Sequence, residues 1–89
     1  MAVTYTEGRI KMTADNDASA SDHYLVKSIT WTGAANGNAL VVQDQDGFDL
    51  WVAAAETGAL EMSKTFDPPQ QVKQVVAETL GGGTLYIYI

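Results

Sequence analysis

The sequence predicts an all-β protein, an antiparallel β-sandwich or small barrel of about seven strands. Apolar residues alternate with polar ones in several short runs, and turn-forming residues separate these runs at intervals of about 8 to 12 residues. No stretch carries a convincing helical stripe. With 89 residues the chain has the size of one domain, and we predict that residues 1–89 form a single β-sandwich domain.

The most informative stretch is residues 38–54, in which two apolar runs are joined by Gln45-Asp46-Gly47. An Asp-Gly pair between alternating hydrophobic residues is a strong hairpin signal. A two-residue loop would place Asp44 opposite Asp49, and like charges destabilise a cross-strand pair. We therefore predict a three-residue loop in which Gly47 takes the positive-φ position of a type I turn with a bulge.

This register assigns the hairpin side chains to two faces. It pairs Asp44 with Phe48, Val42 with Leu50 and Leu40 with Val52, which predicts a core face of Leu40, Val42, Phe48, Leu50 and Val52. The other face carries Val41, Gln43, Asp49 and Trp51. Val41 and Trp51 would be exposed unless another part of the chain or a partner subunit covers them, and the sequence leaves both possibilities open.

Before the hairpin, residues 3–13 suit a short half-exposed edge strand, and residues 15–22 have the composition of a polar loop. Residues 24–32 form a predicted strand with Leu25, Ile29 and Trp31 on one face, a row that Lys27 interrupts. The Gly- and Asn-rich residues 33–38 predict the turn that leads into the hairpin.

After the hairpin, residues 53–56 have helical propensity but are too few for a helix, and Thr57-Gly58 stops them, so we predict a turn. Residues 59–66 alternate as a half-buried strand with Leu60, Met62 and Phe66 on its apolar face, where Lys64 would have to extend to solvent. Asp67-Pro68-Pro69 is expected to end this strand, because proline cannot donate to a ladder.

The last third of the chain predicts two more strands. Residues 70–80 partly fit a helical stripe, but their valine content and the flanking Pro-Pro and Gly-Gly-Gly favour a strand. Gly81-Gly82-Gly83 predicts a tight turn or hinge. The final residues 84–89 predict a paired strand with Leu85, Ile87 and Ile89 on one face and Tyr86 and Tyr88 on the other.

Composition narrows the classes of function. The chain has no cysteine, which excludes disulfides, thiol catalysis and thiolate metal sites. Its formal charge of −6 opposes binding to nucleic acid and to anionic membrane surfaces. The first residues lack the layout of a cleaved signal peptide, and no apolar run is long enough for a membrane-spanning helix. We expect a soluble protein that has no nucleic-acid or membrane partner.

Four features invite a catalytic or metal-binding interpretation. Residues 44–49 resemble a calcium loop, but strands flank them and Ala55 stands where the bidentate glutamate would fall, so a hairpin turn is favoured. The acidic residues Asp15, Asp17 and Asp22, together with Asn16, predict a solvated loop. His23 lacks a recognisable nucleophile, and Gly81-Gly82-Gly83 lacks the Lys-Ser/Thr of a phosphate cradle. We therefore predict no enzyme activity, no cofactor and no metal site.

The aromatic residues are the best candidates for a binding surface. Outward-facing aromatic side chains offer large, rigid area for a protein interface or for stacking on sugars. We predict that Val41, Trp51, Tyr86 and Tyr88 belong to an interface. The alternative is a carbohydrate-binding β-sandwich that uses Trp51 or Tyr86 and Tyr88 as stacking platforms.

Four features in one order suggest a class of protein: Trp31-Thr32-Gly33, the Asp-Gly hairpin that leads to Leu50-Trp51, Phe66-Asp67-Pro68-Pro69, and the closing Gly81 to Ile89. This order resembles small virion structural proteins of tailed bacteriophages, over about residues 24–89. The resemblance implies a non-enzymatic virion protein, a capsid decoration, neck or tail-attached module, that self-associates in symmetric copies, as a trimer or another ring, and contacts other virion proteins.

Overall fold

The computed structural model describes residues 3–20, 22–35, 37–55 and 61–89. These residues form nine strands and no helix. The strands are β1 (Val3–Thr6), β2 (Arg9–Met12), β3 (Asp17–Ala18), β4 (Tyr24–Thr32), β5 (Ala39–Gln43), β6 (Asp49–Ala54), β7 (Glu61–Val72), β8 (Val76–Leu80) and β9 (Thr84–Tyr88). The predicted stop at Thr57-Gly58 and the predicted core position of Leu60 lie outside the described residues.

Two antiparallel sheets form a small β-sandwich, which confirms the predicted fold class. Sheet A has the strand order β1-β2-β9-β4-β7, and sheet B has the order β3-β8-β5-β6. The chain crosses repeatedly between the sheets. The final strand β9 lies in the centre of sheet A, where it pairs with β2 and β4, which confirms the predicted pairing of the terminal strand. Over the described residues the sheets do not close into a barrel.

The strand count exceeds the prediction because two short elements were missed. Residues 3–13 form a hairpin of β1 and β2, not one strand, and Gly8 makes its turn with a φ of 76°. Within the predicted loop 15–22, β3 pairs with β8, and the Asp17 side chain is fully buried. The prediction of a solvated acidic loop is therefore wrong for Asp17, whose carboxylate accepts hydrogen bonds from the main-chain N–H groups of Thr13 and Ala14 at 3.0 Å.

The core lies between the two sheets and is made by alternate residues of the central strands. Sheet A contributes Ile10, Met12, Tyr24, Val26, Ile29, Trp31, Val72, Leu85 and Ile87, and sheet B contributes Leu40, Val42, Ala77 and Leu80. The Trp31 indole is fully buried, and its N–H donates to the main-chain oxygen of Gly82 at 2.8 Å. A buried tryptophan retains its hydrogen bond in this way.

Strand β4 has the predicted bounds but not the predicted face. The register of β4 against β7 shifts between Val26 and Ser28, a bulge that turns the first half of the strand relative to the second. Val26 is consequently buried, whereas Leu25 is 55% exposed. The interruption of the apolar row at Lys27 is thus the sequence signal of this bulge.

Strand β7 continues through the segment that was predicted to end it. The main chain pairs with β4 on both sides of Phe66-Asp67-Pro68-Pro69, and the pairing jumps from Val26–Gln70 to Ser28–Thr65. Prolines are tolerated here because β7 is an edge strand, on which an N–H is not always needed for pairing. Residues 70–80 are accordingly not one strand: Gln70 to Val72 belong to β7, and β8 begins at Val76.

Candidate protein interface

The central hairpin confirms the predicted turn but not the predicted faces. Gly47 has a φ of 83°, the Asp44 N–H donates to the Phe48 oxygen at 3.0 Å, and Gln43 lies opposite Asp49. The register then shifts, because Leu50 is an extra residue and Val42 faces Trp51. This second bulge lies beyond the turn, where the turn chemistry gives no signal of it.

The bulge moves Trp51 to the interior side of sheet B. Opposite residues of an antiparallel pair point to the same face, so Trp51 shares the face of the fully buried Val42 and packs, half-buried, against the core. Leu50 packs there too. The prediction that Trp51 faces away from the monomer's interior is therefore wrong.

Two residues that were assigned to the core are exposed. The same shift places Val52 opposite Val41 on the outer face of sheet B, where it is 59% exposed. Phe48 lies before the shift, at the hairpin tip, and is 71% exposed. Val41 stays on the outer face as predicted and is half-buried. Val52 was not predicted to be an interface residue. The signal that could have found it is the uncharged run of residues 50–55, because an edge strand without charge tends to pair with a further strand.

Tyr86 and Tyr88 lie on the outer face of sheet A, as predicted, on the opposite side of the sandwich from Val41. Arg9 covers part of the Tyr86 ring, with its guanidinium carbon 4.8 Å from the ring centroid, a cation–π contact. Thr30 is the cross-strand neighbour of Tyr86, and Ser28 that of Tyr88. The four predicted interface residues thus do not form one surface.

The edges of the two sheets differ in how they are protected. In proteins, short length, proline and charge discourage an edge strand from pairing with another chain. Strand β1 has four residues and β3 has two, while β7 carries two prolines and the exposed charges of Glu61, Lys64 and Asp67. Strand β6 has six residues, and after Asp49 it has neither proline nor charge.

We call the main-chain groups of residues 50–55 on the side away from β5 the β6 edge. Within the part of the chain that the structure describes, β6 pairs only with β5, so the β6 edge has no strand beside it. The exposed side chains of Val52 and Ala54 flank it. Beyond the bulge at Leu50, an apolar edge without proline or charge is a template for pairing with a further strand.

The acidic hairpin turn is held by its own carboxylate. The Asp44 Oδ1 atom accepts from the N–H groups of Asp46 at 2.9 Å and Phe48 at 3.0 Å, and the Gln43 amide donates to Asp49 at 2.9 Å. These bonds support the predicted hairpin turn. Among the described residues, no group of three or more His, Asp or Glu side chains could hold a metal ion.

The described residues contain no helix that is long and apolar enough to cross a membrane. His23 is exposed. The Asp22 carboxylate accepts a hydrogen bond from the main-chain N–H of His23 at 2.8 Å, so this contact does not involve the imidazole ring.

No protein-family model, curated protein or solved structure matches this chain.

Proposed function

We propose that this protein is a non-enzymatic assembly subunit, a virion structural protein of a tailed bacteriophage, and that it self-associates in symmetric copies through the β6 edge. The observation that carries the proposal is the contrast between the edge strands of the described residues. Strands β1 and β3 are short, and β7 is protected by proline and charge. Strand β6 has six residues and, after Asp49, neither proline nor charge. The order of features in residues 24–89 supports the virion assignment by resemblance.

Assembly fits the size and charge of the chain. A domain of 89 residues has a thin core, so burying more apolar surface between copies stabilises it. A net charge of −6 keeps copies apart except where an uncharged surface meets another, and the run from Leu50 to Ala55 provides one. The partners are therefore further copies of the chain and, through the resemblance, other virion proteins.

Sedimentation tests self-association directly. We expect the wild-type protein at micromolar concentration to sediment as an oligomer, and Val52→Lys to weaken association by about tenfold or more, because a lysine on an edge strand opposes pairing. Val52 is 59% exposed, so its replacement spares the core. Thr65→Lys, an exposed position on β7 with the same change in charge, is the matched control and should sediment like the wild type.

Two results would contradict the proposal. One is a wild-type protein that remains monomeric across the micromolar range. The other is equal weakening by Val52→Lys and Thr65→Lys, which would show that the added charge acts without regard to the edge.

A second candidate is carbohydrate binding on the outer face of sheet A. Tyr86 and Tyr88 stand side by side on this face with hydroxyl-bearing neighbours, an arrangement that suits stacking on sugar rings. The Arg9 guanidinium over Tyr86 occupies part of that area. Glycan-array binding that is lost in a folded Tyr88→Ala variant, while sedimentation is unchanged, would favour this function over assembly.

A further inference from the structure

The direction of the hydrogen bonds along β6 determines which of its main-chain N–H and C=O groups point away from β5. The Ala55 N–H donates to the Asn38 oxygen at 2.8 Å, so Ala55 points its N–H toward the β5 side. Main-chain groups alternate along an antiparallel strand. Ala53 and Trp51 therefore also bond toward β5, and the N–H and C=O groups of Ala54 and Val52 point away from it.

An independent bond supports this alternation. The Gly81 N–H donates to the Ala39 oxygen at 2.9 Å, so Ala39 directs its carbonyl toward β8 and away from β6. Ala39 lies opposite Ala54, and the two form a pair without mutual hydrogen bonds. The Ala54 groups are thus available on the β6 edge.

We propose that two copies of this chain pair antiparallel along their β6 edges, with a two-fold axis beside Ala53. The inference rests on the proposed function and specifies its partner and symmetry. In this register Val52 lies opposite Ala54 of the partner subunit and Ala54 lies opposite Val52 of the partner subunit. Each opposed pair exchanges two N–H···O bonds, so the main-chain groups of Val52 and Ala54 in both copies are fully hydrogen-bonded. The two four-stranded copies of sheet B then form one continuous sheet across the dimer.

Neighbouring registers make fewer bonds. If Val52 lay opposite itself, Ala54 would face Leu50, the extra residue of the bulge, where the alternation of main-chain groups is interrupted. If Ala54 lay opposite itself, Val52 would face a position outside β6. The register centred on Ala53 alone uses both outward-pointing residues of both copies.

Side chains and charge agree with this register. The residues at its centre, Val52 to Ala54, are small, so opposed side chains meet without steric overlap at the ordinary strand spacing of about 4.8 Å. Trp51, half-buried in one copy, lies opposite Ala55 of the partner subunit on the interior face and becomes further covered. No charged residue occurs between Leu50 and Ala55, so within this segment no acidic side chain lies opposite another despite the charge of −6.

Single-cysteine variants test the register, because the chain contains no cysteine of its own. Ala53 faces Ala53 of the partner subunit in a pair without mutual hydrogen bonds, with Cα atoms about 4.5 Å apart, which suits a disulfide. We expect Ala53→Cys to form a covalent dimer on mild oxidation. Ala54→Cys is the matched control: its two copies would lie about 8 to 9 Å apart, beyond disulfide reach.

The control is demanding because Ala54 is more exposed than Ala53, so random collision would cross-link Ala54→Cys more readily. An equimolar mixture of Val52→Cys and Ala54→Cys should give the mixed disulfide, since these positions face each other across the interface. Should Ala53→Cys fold poorly, this mixture tests the same register.

The outcomes separate this inference from the proposed function. Cross-linking at Ala53 and in the mixture, but not of Ala54→Cys alone, supports the two-fold pairing. An oligomer that sediments as a trimer overturns the two-fold pairing and leaves self-association intact. The same holds for an oligomer that cross-links neither at Ala53→Cys nor in the mixture of Val52→Cys and Ala54→Cys. A monomeric wild type overturns both.

Discussion

Two tyrosines hold one residue of the loop before β4. The Ala20 N–H donates to the Tyr5 hydroxyl at 2.6 Å, and the Tyr24 hydroxyl donates to the Ala20 oxygen at 2.8 Å. Burial raises the pKa of Tyr24 above its usual value of 10.0; a hydrogen bond with Ser19 partly offsets this, and the nearby Tyr5 and Asp22 add to the rise. The fold therefore favours the neutral phenol.

Tyr24→Phe should change stability in two ways. A pKa that is higher in the folded than in the unfolded state contributes stability that is complete below about pH 10 and is lost as the pH rises through the folded-state value. Denaturant titrations should show a decline above about pH 10 in the wild type and a smaller one in Tyr24→Phe. At neutral pH the variant should be about 1 kcal/mol less stable, because the bond to Ala20 is lost.

Tyr5→Phe is the control for the alkaline decline. It removes the other hydroxyl that contacts Ala20 but leaves Tyr24 in place, so the decline should persist. An equally steep decline in Tyr24→Phe would contradict the assignment to Tyr24.

At the scale of elements, the connection between β8 and β9 carries the chain from sheet B to sheet A. Gly83 has a φ of 77°, and a Cβ atom at this position would overlap the carbonyl oxygen of Thr32. The neighbouring Gly82 accepts the Trp31 hydrogen bond. The connection therefore links the turn, the core tryptophan and the central strand β9.

Gly83→Ala should lower the free energy of unfolding by about 2 to 4 kcal/mol, because it combines a left-handed main chain with a steric overlap. Gly47→Ala is the matched control. Gly47 has a φ of 83°, but apart from its two chain neighbours no described residue has an atom within 4 Å of the position that its Cβ atom would take, so only the conformational cost of about 1 to 2 kcal/mol applies. Equal losses in chemical denaturation would contradict the overlap.

The alternation of apolar residues predicted most elements, and it failed where the main chain has bulges. The fold class, β4, the hairpin turn and the terminal strand follow from local patterns with a period of two. The faces of Leu25, Trp51 and Val52 do not, because each lies beyond a bulge that inverts the alternation. The candidate site changed for the same reason: Trp51 turned inward and Val52 outward.

The short elements were missed for a different reason. A strand of two residues such as β3 has no period of its own, and its place is set by pairing with β8, which is distant in sequence. The burial of Asp17 likewise depends on main-chain N–H groups that the loop folds toward it.

At the scale of the whole molecule, the extent of assembly depends on the protein concentration. The protomer has an accessible surface of 4978 Å², close to the roughly 5,000 Å² expected for a compact monomer of its mass. A standard interface removes about 800 Å² per partner. Pairing along residues 50–55 is a short contact by comparison, so we expect the oligomer fraction to change strongly with concentration across the micromolar range.

Amide hydrogen exchange measured at low and high protein concentration tests the central claim most directly, because it reads the groups on the β6 edge one by one. The amides of Trp51 and Ala53 bond toward β5 and should be protected at both concentrations. The amides of Val52 and Ala54 should exchange rapidly in dilute protein and become protected as the concentration rises. Rapid exchange of Val52 and Ala54 at every concentration, in a protein that remains folded, would contradict pairing along the β6 edge.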